Sequence, residues 1–315
     1  MTTGIDLLLP DPCYDVPTPR GAFGTDQVCL DLRLFSMSEN TLIPVNARRA
    51  THVKPRFGSS PEECCVTGHD GVVTLRPFLR KLTQLVQLQS GDADAVELLQ
   101  FKIAQVARQR DAIARGETVS YLYVVLEGWA ARYSLRPDGT RRITGFLLPG
   151  DFCGIHAVCH APMDHAIVAL TDCTLAKIEL TQVEALVSDS PIIGRALWYA
   201  KLIDEAILRT WLLNSSDAVR TLAHLLCELD ARLHHGTEIE AGPRRFDLPI
   251  TQEQIGDALG LTSVHINRCF RHLREAGLVD IGQGRLTIPD VEALRKAAAF
   301  DPTYLHWRGD GSGRR

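Results

Sequence analysis

One stretch constrains this chain more than any other: TQEQIGDALGLTSVHINRCFRHLR, residues 251–274. Thr251 is placed to cap a helix, and Gln254, three residues on, completes a capping-box pattern. Ile255 and Leu259 form an apolar pair one turn apart. Gly260 follows where a second helix must turn away sharply, and glycine takes that backbone geometry at the lowest cost. Gly256 is small where the second helix crosses the first. Leu261, Ile266 and Cys269 give the second helix, which begins after Thr262, an apolar side. Each constraint has its own physical reason, and together they predict a helix-turn-helix. The alternative is an ordinary αα-corner inside a core.

The outward side of the second helix decides between them. With Ile266 and Cys269 inward, Thr262, Ser263, Val264, Asn267, Arg268 and Arg271 face away, with His265 beside them in the first turn. Residues near the start of such a helix reach base edges in the major groove of DNA. Arg268 is suited to a bidentate contact with guanine and Asn267 to adenine. Ser263 suits a base edge or phosphate, and Val264 a thymine methyl. Thr251, Gln252 and Arg271 suit phosphate contacts that set register. From Thr262 to Arg274 there are three arginines and no acidic residue. The whole chain of 315 residues has net charge −4 and a sequence pI of about 6.3, which argues against coating nucleic acid through a broad positive field. Its basic character is local.

Upstream, residues 117–180 read as β. Val119 to Leu126 is a nearly continuous apolar run, and Trp129, Ala131, Tyr133 and Leu135 alternate. Arg136-Pro137-Asp138-Gly139 and Pro149-Gly150-Asp151 are turns. Arg141 to Leu148, Ala166 to Leu170 and Thr174 to Leu180 complete a small antiparallel barrel or roll. Before it, a helix carries Leu79, Leu82, Leu85, Val86 and Leu88, broken at Ser90-Gly91-Asp92. A second helix is expected from Asp94 to about Ala114, with Val96, Leu99, Ile103 and Val106 on one side. After the roll, Ser190 as N-cap and Pro191 at the first position start a long helix. That helix is apolar on two faces, which one small roll cannot satisfy. One face should pack on the roll and the other on the same helix of a second subunit. Ile193, Leu197, Ala200, Ile203, Ile207 and Trp211 are assigned to that dimer interface. A fully buried intradomain helix is the alternative. Asp217 then caps an amphipathic helix to about residue 234. Residues 235–247 are a polar loop with an edge strand. Residues 275–281 and 285–288 form a hairpin wing, and Pro289-Asp290 caps a last helix.

The predicted fold class is therefore α+β: an antiparallel β-roll with flanking helices, a long dimerisation helix and a C-terminal winged helix-turn-helix. The expected domains are a sensor roll at 77–188, the dimerisation helix at 189–214, the DNA-binding domain at 215–300 and a tail at 301–315. Residues 1–76 are proline-rich and without periodicity, so they are read as an irregular or disordered extension, unless the natural start lies downstream at Met37. No apolar run approaches the roughly 20 residues needed to cross a bilayer. The first residues lack a secretory pattern, so the nine cysteines are expected to be reduced thiols in the cytoplasm. There is no Gly-rich phosphate loop, HExxH or GxSxG, so an enzyme is not expected.

The roll, long helix and winged helix-turn-helix, in that order, resemble the Crp/Fnr family of bacterial transcription regulators. The residues that carry the resemblance are Gly116-Glu117, LYVVLEGWAARY (122–133), Pro149-Gly150-Asp151-Phe152 and ITQEQIGDALGLTSVHINRCFRHLREAGLV (250–279). It implies a homodimer on a palindromic operator, with RNA polymerase as a further partner if the protein activates. A sensing module acting through protein–protein contacts is the alternative.

The family's cyclic-nucleotide sensors hold the phosphate with an Arg and the ribose with a Glu, in the segment after the Pro-Gly-Asp turn. Here that segment has Ile155 in the place of the Glu, no Arg between Ile143 and Gly194, and no Glu between Gly128 and Ile178. A cyclic nucleotide bound in that mode is not expected. An iron–sulfur cluster is not expected either, because Cys13, Cys29, Cys64 and Cys65 lack a ligand-like spacing. The effector is left unknown, with Cys153, Gly154, Ile155, His156 and His165 as its candidate pocket. Cys153, His156, Cys159, His160 and His165 also suggest a zinc or redox role. The spacing matches no standard zinc pattern, and no metal ligand is assigned. Packing cysteines and surface histidines are the other reading.

Overall fold

The fold was taken from a computed structural model that describes residues 73–159, 161–214, 217–235 and 242–307. The expectations for residues 1–72, His160, Ser215, Ser216, 236–241 and 308–315, and for the side chain of His156, lie outside the described residues.

Two helices open the described chain, α1 (Arg76–Leu85) and α2 (Ser90–Glu97). The roll follows: β1 (Lys102–Val106), β2 (Asp111–Ile113), β3 (Tyr121–Glu127), β4 (Ala130–Leu135), β5 (Arg141–Leu147), β6 (Phe152–Cys153), β7 (Ala166–Ala169) and β8 (Cys173–Glu179). These strands form two four-stranded antiparallel sheets, in the orders β1-β8-β3-β6 and β2-β7-β4-β5. Strand β3 shows why its sequence is an unbroken apolar run. Tyr123 and Val125 face a core between the sheets, with Leu147, Ile167 and Leu175. Leu122, Val124 and Leu126 face the opposite way, into a core shared with the helices. A strand buried on both faces cannot alternate.

The expected helix from Asp94 to Ala114 is corrected. Helix α2 starts earlier, at the Ser90-Gly91-Asp92 read as a break, because Gln89 and Asp92 form a capping box. It ends at Glu97, and the chain continues as β1, whose residues pair with Cys173–Lys177 of β8. The apolar residues at 96, 99, 103 and 106 have helical spacing, but the sheet edge offers β1 a full ladder of backbone partners, and tertiary context overrides spacing.

The chain then forms α3 (Leu180–Asp189), which the sequence reading missed, and α4 (Pro191–Leu213). Pro191 sits at the start of α4 as expected. The Ser190 hydroxyl makes no cap and instead donates to Asp92 Oδ1. The dimer assignment on α4 is also corrected. Ile193, Leu197, Ala200, Ile203, Ile207 and Trp211 are all buried within the protomer. That stripe belongs to the shared core; Trp211, for example, lies against Phe146 of β5 with ring centroids 5.6 Å apart. The apolar side chains that α4 leaves to solvent are Trp198, Tyr199, Leu202, Leu212 and Leu213, with Trp198 67% exposed. Periodicity showed two stripes on this helix but not which one turns inward.

Helix α5 (Ala218–His234) is capped by Asp217, whose carboxylate accepts from the N–H groups of Val219 and Arg220. Strand β9 (Arg244–Asp247), α6 (Gln252–Leu259), α7 (Ser263–Glu275), β10 (Asp280–Gly282), β11 (Arg285–Ile288) and α8 (Val291–Ala298) complete the chain, with a 3-10 turn at Pro302–Leu305. The hairpin turn is Gln283-Gly284, both at positive φ (52° and 75°), the backbone that a two-residue primed turn requires. β9 adds a third strand on the far side of β11.

Candidate nucleic-acid interface

The two helices are built locally as their sequence predicts. Thr251 Oγ1 accepts from the Gln254 N–H at 3.2 Å, and Gln254 Oε1 accepts from the Thr251 N–H at 2.8 Å. Gly260 closes α6 with φ +74°. A Cβ on Gly256 would lie 2.3 Å from the carbonyl oxygen of Leu261, so only glycine admits the turn that follows. Thr262 caps α7, its hydroxyl accepting from the His265 N–H. Ile266, Cys269, Phe270 and Leu273 are buried beneath the helix, and burial raises the Cys269 thiol. Helix α7 ends at Glu275, the residue at which the predicted wing begins, and the first wing strand forms only at Asp280–Gly282.

The opposite side of α7 is bare. Thr262, Ser263, Val264, His265, Asn267, Arg268 and Arg271 are all exposed, and Val264 is 61% exposed despite being apolar. Gln252, Ser263, Val264, Asn267, Arg268 and Arg271 line one shallow depression. The Asn267 Nδ2–H donates to Gln252 Oε1 at 3.3 Å, linking the start of α6 to the middle of α7. Thr251 is half-buried in its cap, and His265 is exposed in the first turn but does not line the depression.

Helices α5 and α6 are tied to the roll by charges the sequence reading did not single out. Asp151 accepts from Lys81 of α1, Arg232 of α5 and the Leu148 N–H, each at 2.8 Å. Burial alone would push the Asp151 carboxyl up, but Lys81 and Arg232 hold it well below the usual carboxylate range. Arg232 also donates to the Phe146 carbonyl at 2.8 Å and to Glu228 at 3.2 Å. Glu228 accepts from Trp211 Nε1 at 2.8 Å and from the Tyr304 hydroxyl at 3.2 Å, and burial pushes its carboxyl up. At the other end of β5, Arg141 Nε donates to Asp257 of α6 at 2.7 Å. The only sequence signal was the presence of Glu228, Asp230 and Arg232 among the leucines of α5. Their partners lie up to 86 residues away, as with Arg232 on the Phe146 carbonyl.

The candidate effector residues do not converge. Cys153 joins the core between the sheets, whereas Ile155 packs against the core shared with the helices. Gly154, at φ +84°, lies against the Tyr121 carbonyl. His165 is half-buried and pairs with Asp164. Burial pushes the Cys153 thiol up to about 11, opposite to what a thiolate ligand or redox thiol needs, and Cys159 is exposed, away from that core. A cyclic nucleotide does not fit these residues either. The cations between the roll and α4, Arg132 and Lys201, both bind Asp204 at 2.8 Å, so neither is free to hold a phosphate. Among the described residues no three or more His, Cys, Asp or Glu are grouped to hold a metal, and no helix is long and apolar enough to cross a membrane.

A sensor-type roll joined by a long helix to a winged helix-turn-helix defines a class, the two-part transcription regulators. Comparison with known proteins narrows it. Residues 105–190 match the cyclic nucleotide-binding domain and residues 221–297 the Crp-like helix-turn-helix domain. The nitrogen fixation regulation protein FixK of Bradyrhizobium diazoefficiens is 31% identical over 217 residues, 65% of this chain and 88% of that protein. The transcriptional activator FnrL of Cereibacter sphaeroides is 26% identical over 192 residues, 59% of this chain and 76% of FnrL. The structure of FixK2 from Bradyrhizobium japonicum matches in fold, with a TM-score of 0.56 at 24% identity, over 64% of this chain and 100% of that one. This chain belongs to the Crp/Fnr family and is a transcription regulator with a helix-turn-helix DNA-binding domain. Its relatives are regulators, not enzymes.

Proposed function

We propose that this protein binds a palindromic operator as a homodimer in the cytoplasm, each subunit laying α7 in the major groove. The observation that carries this reading is the bare, acid-free face of α7. Arg268 takes guanine and Asn267 adenine, and Val264, exposed to water, meets a thymine methyl. Ser263 and His265 flank them at the helix start. Thr251, Gln252, Thr262 and Arg271 fix register on the phosphates. The working parts are the roll at 77–188, the helix at 189–214 and the reader at 215–300. The dimer is built on the solvent-facing side of α4, through Trp198, Tyr199 and Leu202, instead of the stripe first assigned. Two copies place two readers about 34 Å apart, one helical turn of DNA. RNA polymerase is a further partner where the protein activates.

The test is fluorescence anisotropy with a promoter-derived duplex and a scrambled duplex at one stated salt concentration. Tighter binding to the promoter duplex is expected, and equal affinity sinks the reading. Leu202→Glu should shift the protein to monomer in sedimentation and weaken operator binding at least tenfold.

A further inference from the structure

We infer that Gln252 is a positioning residue for base readout, orienting Asn267 towards adenine. This rests on the reading of α7 as the groove helix. The two residues belong to different helices, fifteen positions apart, yet their amides meet at 3.3 Å in the depression shared with Ser263, Val264, Arg268 and Arg271. An isolated asparagine on a helix surface rotates its amide freely and presents oxygen or nitrogen to a base edge with equal ease. Gln252 removes that freedom. Its carbonyl oxygen takes one Asn267 N–H, which leaves the Asn267 carbonyl oxygen and one N–H to face outward. An acceptor beside a donor matches adenine, which offers its N6 amino group and N7 side by side in the major groove. Gln252 keeps its own amino group for a backbone phosphate.

Both residues are exposed, and Gln252 stands at the first position of α6, outside the capping pair Thr251 and Gln254. Variants at Gln252 therefore leave the core and the cap intact. The opposite pairing, with Gln252 donating to the Asn267 oxygen, would turn the amino group of Asn267 to the groove. That arrangement favours the keto edges of guanine and thymine.

The experiment measures binding of the full-length protein to a random-sequence duplex library and to single-base variants of the preferred site. The unaltered protein should prefer adenine about tenfold at one position per half-site, next to the guanine lost in Arg268→Ala. Asn267→Ala should abolish that preference. Gln252→Leu should cut it below about twofold while the guanine preference stays. Gln252→Glu keeps the acceptor oxygen, so it should keep the adenine preference while weakening binding to every sequence through repulsion from phosphate. An undiminished adenine preference in Gln252→Leu, or a keto preference in the unaltered protein, overturns the inference. Absence of any sequence preference in the unaltered protein overturns the reading of α7 itself.

Discussion

Arg232 and Arg268 are the same residue in opposite circumstances. The Arg232 side chain is 5% exposed and donates to Asp151, Glu228 and the Phe146 carbonyl. Arg268 stands on the bare face of α7, exposed, with no ion pair or hydrogen bond described. One guanidinium holds the roll to the first helix of the reading half. The other awaits a partner. A buried charge is costly unless every donor is met, so its value is structural and shows when it is broken. An exposed charge costs little to keep and shows its value on binding.

The largest effect should follow from breaking the buried member. Arg232→Ala leaves Asp151 and Glu228 buried with fewer donors and should lower unfolding free energy by about 3–5 kcal/mol in urea titrations. Arg268→Ala should change that free energy by no more than about 0.5 kcal/mol. Its effect belongs in DNA binding, where it should cost about 1–3 kcal/mol of discrimination against non-guanine bases. If Arg268→Ala destabilised the fold as much as Arg232→Ala, the contrast would fail. A smaller loss, about 1 kcal/mol, is expected for Thr251→Ala, which removes the cap of α6.

The effect that is smallest near neutral pH is a pH dependence. His224 lies in the core of the reading half, between the rings of Phe300 and Tyr304. Burial, with Arg220 nearby, lowers its imidazole from 6.5 to about 4. Between those values the unfolded chain binds a proton that the folded chain does not, so stability rises with pH across this window. It should be full above pH 6.5 and fall as pH drops towards 4. His224→Phe should flatten that part of the profile in thermal melts.

The helix-turn-helix was legible because its constraints are local: a cap, a crossing glycine and a turning glycine within ten positions. The roll's later strands were legible from alternation and turns. What failed was whatever depended on distant neighbours. Residues 102–106 carry helical spacing by coincidence, and only β8 makes them a strand. The stripe Ile193 to Trp211 is apolar whether it meets a roll or a second subunit, so pattern could not choose. Cys153 and Ile155 would share a face on an extended chain, but Gly154 at φ +84° turns the backbone between them and they join different cores. The charges of α5 read as an outer face until Asp151 and Arg232 are seen to meet.

Strand β5 touches the reading half at both of its ends. Arg141 begins it on Asp257, and the Phe146 carbonyl near its close receives Arg232. It therefore works as a gauge block of about 20 Å, the length of a strand of this size. The turn before it, residues 136–140, can change length without disturbing either contact. A residue inserted within β5 would lengthen the block by about 3.3 Å and send its inward side chains outward. The height at which α5 and α6 stand over the roll is thus set by the pleat of one strand, and tolerance to insertion should drop sharply where the turn becomes the strand.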